Sequence, residues 1–311
     1  MKKKVLFFVK VLLMLCLVVF FLFGVVSPQY ELGYNASILD KVARLKAIEG
    51  SKIVLIGDSN LAFGIDSSVI EEQIGMPVVN MGLHGGLGNA FHEQMARLNV
   101  QEGDIYVISH TAFDDDDSLG DPSLIWVTLE NHLPLYQLVR AKDWWTLKDA
   151  LSNYVQKSVN LWLRDEGNEA TEDAYSRLAF NEYGDNVYPR AETVEGAVPF
   201  ESQTIPGIGD LCVERMNALN AYLTERGASM VVTLFPIANG EFTPSLSDYF
   251  DFQETLEARL DAPVISFYDD YLYDYYFFYD TIYHLTDEGV QMRTEQLVRD
   301  LQAWMEGEVE V

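Results

Sequence analysis

The tetrapeptide Gly57-Asp58-Ser59-Asn60 directly follows a β-rich run, Ile53-Val54-Leu55-Ile56, so it lies where a strand ends. Gly57 permits a tight turn, Ser59 stands exposed at its apex, and the backbone N–H groups that follow point at whatever the hydroxyl attacks. A serine hydroxyl needs a base before it becomes a useful nucleophile. Five histidines are present, and only His284 sits in a context that supplies one. In Asp280-Thr281-Ile282-Tyr283-His284, Asp280 can reach around a single turn and orient the imidazole. Ser59, His284 and Asp280 are therefore the candidate nucleophile, base and orienting acid of an acyl transfer, with a rate that rises as the imidazole loses its proton. His84 reads as a turn residue beside the cleft, His92 as a helix-surface residue, and His132 as structural. No two histidines stand four apart with a third ligand nearby, and Cys16 and Cys212 are the only cysteines, so no metal or other cofactor is expected.

An alternation of short strands and helices must position these side chains. Ile53–Ile56, Val78-Val79 and Ile105–Ile108 read as strands, with helical runs Val69–Ile74 and Phe91–Leu98 between them. The alternation resumes with helix Leu211–Leu223, strand Met230–Phe235, helix Leu246–Leu260, strand Val264–Phe267 and a closing helix Leu285–Trp304. This pattern predicts an α/β fold of three layers, α/β/α, around a mostly parallel five-stranded sheet, with ligands at the carboxyl ends of its strands. About 111–208 is a helical insertion after the third strand; it carries two helix-like runs, Leu124–Arg140 and Trp144–Leu163, then a polar region. Ahead of the sheet, Ser37 can cap a helix whose apolar positions are Ile38, Leu39, Val42, Leu45 and Ile48. The run Asp114–Asp117 reads as solvated charge, and the aromatic stretch Tyr268–Tyr279 as core packing plus cleft lining.

Residues Val5–Val26 form an apolar run broken only by Lys10 and preceded by Lys2-Lys3-Lys4. At about 1.5 Å per residue such a helix spans a hydrocarbon layer of roughly 30 Å. Its basic flank places the N-terminus in the cytoplasm and the C-terminal domain outside, at the cell membrane as a single-pass protein. The run is longer than the apolar core of a cleaved signal peptide, the competing reading, and no Ala-x-Ala site follows. The expected organisation is a cytoplasmic tail 1–4, a transmembrane anchor 5–26, a juxtamembrane segment and helix 27–50, and a domain 51–311 bearing the insertion. The 311 residues carry 21 Lys and Arg against 48 Asp and Glu, a net charge of −27. That field repels phosphate backbones, so no nucleic-acid partner is expected.

A serine at the end of the first strand, with Asp and His before the last helix, resembles the SGNH (GDSL-type) hydrolase family and its flavodoxin-like fold. The run Lys52–Asp66 and the segment Val79-Asn80-Met81-Gly82-Leu83-His84-Gly85-Gly86-Leu87-Gly88 resemble that family's membrane-anchored branch, which includes the teichoic-acid D-alanyl transfer protein and proteins implicated in polysaccharide O-acylation. The resemblance implies Ser59 as nucleophile with Asp280 and His284 completing a triad, and a backbone N–H of Gly82 or Gly85 for the oxyanion. It also implies an acyl donor, an extracytoplasmic glycan or teichoic acid as acceptor, and a membrane-bound O-acyltransferase as partner. A membrane-anchored esterase or deacetylase and a non-catalytic glycan-binding scaffold are the alternatives. Two departures stand out. The family's third-block Gly-x-Asn-Asp is replaced by Ser109-His110-Thr111, so Asn60, Asn80 or His110 is expected to stand in as an oxyanion donor. Three residues, where the family usually has two, separate Asp280 from His284.

Overall fold

A computed structural model describes residues 2–27, 29–130, 132–168, 171–196, 205, 207–239 and 244–307. Helix α1 (Lys2–Phe20) continues through a π-helical turn, Phe21–Val26, and a 3-10 turn, Tyr34–Ser37, leads into α2 (Ile38–Ala47). Ser37 makes no capping bond, because it is itself helical and its backbone continues the preceding turn. The core alternation is β1 (Ile53–Gly57), α3 (Ser59–Ala62), α4 (Ser67–Ile74), β2 (Val78–Asn80), α5 (Asn89–Met95) and β3 (Ile105–Ser109). After the insertion come α8 (Asp210–Thr224), β4 (Ser229–Val232), β5 (Ile237–Asn239), α9 (Leu246–Glu257), β6 (Leu272–Asp274) and α10 (Asp287–Met305); the insertion's own helices are α6 (Pro122–Leu129) and α7 (Trp144–Arg164).

The main sheet is parallel, ordered β2-β1-β3-β4, so it has four strands and not the expected five. The run at Val264 meets Val232 through one parallel bridge. Val232 donates to Pro263 O and Ile265 donates to Val232 O, but Pro263 has no N–H to give, and past Ile265 the Ser266 hydroxyl takes the Leu234 N–H that a ladder would need. β5 and β6 form a separate parallel pair.

Alternation along β1 builds both sides of the core. Ile53 and Leu55 pack with Ile70 of α4 and Leu297, Val298 and Leu301 of α10, whereas Val54 and Ile56 pack with Phe91 and Met95 of α5 and Met216 and Leu219 of α8. Helices on both faces of a buried parallel sheet make the three layers.

At the amino end of β1, Lys52 Nζ lies 2.9 Å from Asp104 Oδ2 with both side chains fully buried, and Asp104 also accepts from the Lys52 and Gln101 backbones. Removing one partner of such a pair strands a buried charge at a cost of about 3–5 kcal/mol. Lys52→Met is expected to lose that much in chemical denaturation, and Lys52→Met with Asp104→Leu far less. Equal losses in the two variants would show that packing, not charge, holds this corner.

The insertion departs from its expected helices. The run Leu124–Arg140 is not one helix: α6 ends at Leu129, Glu130 turns with φ +34°, and a 3-10 segment covers Leu133–Leu138. Pro134 is the cause, since it lacks an N–H and its ring would collide with the carbonyl of Glu130. The carboxylates of Asp114–Asp117 point apart: Asp115 accepts from Leu211 N, and Asp117 pairs with Arg140 and Lys142.

The chain that follows the N-terminal helix docks here too. Glu130 Oε1 accepts from Gln29 N at 3.1 Å, and Gln29 Nε2 donates to Val25 O. Burial pushes the Glu130 carboxyl up to about 7, against the lowering effect of bonds from the Gln29 and Tyr30 backbones. A folded-state pKa above the unfolded value gives stability that is present below about 4.5 and lost as pH rises through about 7. Glu130→Gln keeps the acceptor without the charge. It is expected to stabilise the protein at pH 8 by on the order of 2–3 kcal/mol and to change little at pH 4. Thermal melts at the two pH values check this, and an equal effect at both would contradict it.

Candidate active site

β1 runs into the Asp58-Ser59 turn because only glycine fits at its end: a Cβ on Gly57 would lie 2.2 Å from Ser109 O of β3. Asp58 then caps the short helix α3, its Oδ1 accepting from Asn60 N and Asn60 Nδ2 and its Oδ2 from the Thr111 hydroxyl. Ser59, the first residue of α3, is left partly exposed. Its Oγ lies 2.8 Å from His284 Nε2 across 225 residues of sequence.

His284 is fixed from three directions. Its Nδ1 is 2.8 Å from Asp280 Oδ1, its backbone N–H donates to Thr281 Oγ1, and its carbonyl accepts from Tyr279 N, closing the turn that brings the two side chains together. The extra residue between Asp280 and His284 is absorbed by this turn. Phe63, just beyond α3, stacks on the imidazole with ring centroids 4.0 Å apart and planes 10° apart, holding the ring edge-on to Ser59. Burial alone would raise Asp280, but hydrogen bonds from His284 and Tyr175 outweigh it and hold the carboxyl below its ordinary value.

Tyr175 is the participant that the sequence reading missed. Its hydroxyl donates to Asp280 Oδ2 at 2.5 Å and lies 3.3 Å from His284 Nδ1. It comes from the insertion, whose polar second half carries no periodicity that would have marked it. The same stretch supplies Arg190, buried among the carbonyls of Asn186, Tyr188, Leu285 and Phe63, which ties the insertion to both the Ser59 and the His284 segments. It also supplies Asp185, which accepts from Ser67 and Asn80. Gly184, at φ +96°, lies so close to Asn80 O that a Cβ would stand 2.3 Å from it. The insertion is thus part of the site's frame as well as a cover for the sheet.

Four of the expected oxyanion donors are committed elsewhere. The Asn60 amide is fully buried, donating to Asp58 and Ser109 O, while its Oδ1 accepts from Arg293 and Ser109 Oγ. Asn80 donates to Leu61 O and Asp185, and its Oδ1 accepts the Gly82 N–H, which removes Gly82 as well. His110 is buried with Nε2 3.3 Å from Glu93 Oε1, facing the core. The Asn60, Asn80 and Gly82 groups entered the core, where the nearest partners meet their hydrogen bonds, whereas His110 is enclosed with neither ring nitrogen hydrogen-bonded among the described residues. Gly85 remains: it faces Asp58, a Cβ there lying 3.5 Å from the Asp58 Cβ. Among the described residues, neither its N–H nor that of Ser59 donates a hydrogen bond.

The other histidines divide. His84 does sit in the turn, its Nδ1 accepting from Gly86 N, and its pKa is lowered by burial and by the nearby His284. His92 is fully buried, not on a surface as expected, and burial pushes it down to about 4. α5 is enclosed on more sides than its short apolar pattern indicated.

Tyr175→Phe tests the new participant. Losing one donor to Asp280 is expected to lower kcat about 10-fold, equivalent to about 1.4 kcal/mol, with KM nearly unchanged. The Asp280 carboxyl, released from one of the bonds holding it low, should rise, extending the loss of activity at acid pH. A Tyr175→Phe variant with the parent rate and pH profile would leave Tyr175 a packing residue only.

Compared with protein-family models, with curated proteins and with solved structures, the chain matches none.

Proposed function

We propose that this protein transfers acyl groups through a serine ester, and that the contact of Ser59 Oγ with His284 Nε2, itself held by Asp280, carries that reading. With the Nδ1 proton directed to Asp280, Nε2 is free to accept the Ser59 proton as Oγ attacks a carbonyl. The resulting oxyanion lies toward the Ser59 and Gly85 N–H groups. Collapse expels the donor's leaving group, which takes the proton from His284. The acceptor hydroxyl then gives its proton to the same nitrogen as it attacks the acyl-serine; the adduct collapses by breaking the acyl bond to Ser59 Oγ, which takes that proton back from His284, and the new ester leaves while Asp280 stays ionised throughout.

The acceptor in this reading is an extracytoplasmic glycan. The resemblance to the anchored SGNH branch supports it, and so do exposed aromatic rings on the segment that carries His284, namely Tyr283 at 39%, Tyr275 and Tyr276. A net charge of −27 favours an uncharged glycan over a polyphosphate such as teichoic acid. The N-terminal helix, Lys3–Val26, is long and apolar enough to cross a membrane. We read it as an anchor with the basic tail in the cytoplasm, which sets the domain beside a membrane-bound O-acyltransferase able to supply the acyl group.

The test is to reconstitute the full chain with and without a co-expressed membrane-bound O-acyltransferase and look by mass spectrometry for an acyl group on the peptide containing Ser59. Slow hydrolysis of small esters by the isolated chain, with polymer acylation requiring both proteins, is the expected result. Rapid release of acetate from a glycan by the chain alone would make it a deacetylase. Polymer acylation that proceeds equally with Ser59→Ala would make it a scaffold.

A further inference from the structure

The last turn of the N-terminal helix packs against α7 of the insertion. Val25 and Val26 are buried there, at 6% and 3% exposure, while the helix before them stands free, Phe20 still 63% exposed. Next to this contact Tyr30 lies beside Tyr154 of α7, their ring centroids 6.3 Å apart. The 24 residues of Lys3–Val26 measure about 36 Å at 1.5 Å each, against a hydrocarbon layer of roughly 30 Å. If that helix spans the bilayer, its last turn lies at the boundary of the outer leaflet, and α7 lies at the same depth.

α7 has two apolar faces. Leu147, Tyr154 and Ser158 point into the domain. A second sector carries Trp144, Trp145, Leu151, Trp162 and Leu163, exposed by 39–73%, while Thr146 and Asn153 occupy the polar side. Indole rings at the edge of a span are where an amphipathic helix meets lipid headgroups. Between Ala141 and Arg164 the chain has four basic and two acidic side chains, although the whole protein is strongly acidic. Lys148 Nζ lies over the Trp145 ring, 4.8 Å from its centroid, a cation–π contact on this sector.

We infer that the Trp145/Leu163 face of α7 lies in the outer-leaflet interface of the bilayer that α1 spans, so that the domain is seated on the membrane at a fixed tilt and does not swing on a tether. This rests on the anchor reading of the N-terminal helix. It is independent of the acyl-transfer chemistry.

The experiment places an environment-sensitive fluorophore on single cysteines at 145, 163, 146 and 153 in the full chain with Cys16→Ser. Cys212, buried and with its thiol pushed up to about 11, stays unlabelled. Each labelled chain is checked to melt like its parent and is reconstituted in phosphatidylcholine vesicles carrying a nitroxide lipid at the headgroup or deep in the acyl region. A reference label at Leu13 reports the span. The expected result is strong quenching at 145 and 163 by the shallow nitroxide, none above the solvent level at 146 and 153, and deep quenching at Leu13. Equal, solvent-like signals at all four α7 positions with Leu13 still quenched would overturn the seat but leave the anchor standing. Apolar emission at 145 and 163 without lipid quenching would also overturn it, placing protein on that face. An unquenched Leu13 would remove the anchor, and the proposal with it.

Discussion

Ser59→Ala is expected to lower esterase or transfer activity by on the order of 10⁴–10⁶-fold, the range seen when a nucleophile is removed from a hydrogen-bonded triad. Among the described residues the Ser59 hydroxyl bonds only His284, and the turn is held by Asp58, Asn60 and Thr111. The variant should therefore melt like the parent, and the loss would be chemical. Covalent labelling by a fluorophosphonate should disappear with it. A variant that keeps its rate and its label would put the nucleophile elsewhere.

His284→Gln is expected to cost a similar factor, because the amide can neither take the Ser59 proton nor return it to a leaving group. The more telling readout is the pH profile. Burial pulls Asp280 upward, but its bonds from His284 and Tyr175 hold it below the ordinary carboxylate range, so it remains ionised where an imidazole titrates. The Gln variant lacks the base that Asp280 orients, so its residual activity should not rise on the acid side as the parent's does. A retained limb at the parent position would identify another group as the base, and His84, the nearest other imidazole to His284, is the one to replace next.

What the amino-acid sequence determined was what is local. The β-rich runs, the turn at Gly57 and the approach of Asp280 to His284 within one turn all depend on periodicity, on glycine's freedom and on residues a few positions apart. The main helices follow from the same signals, including α7 from Trp144 onward, whereas Pro134 breaks the expected run Leu124–Arg140 into α6 and a 3-10 segment. The oxyanion donors were not legible in the same way. Asn60, Asn80 and His110 are of the right chemical types, but a buried polar group faces whatever packs beside it, and those neighbours, Ser109, Arg293, Asp185 and Glu93, lie 17 or more residues away; Gly82 is lost in turn because Asn80 Oδ1 takes its N–H. The fifth strand was lost for a related reason: apolar residues at 264–267 mark burial, but a ladder needs N–H groups from both chains, and Pro263 and Ser266 break it. Only the tertiary structure could put Tyr175 on Asp280, 105 residues away, and Arg190 between the segments that carry Ser59 and His284. Their stretch of sequence is irregular, so it carries no period, and its place is set by hydrogen bonds to backbone groups that exist only once the sheet and its last helix have assembled.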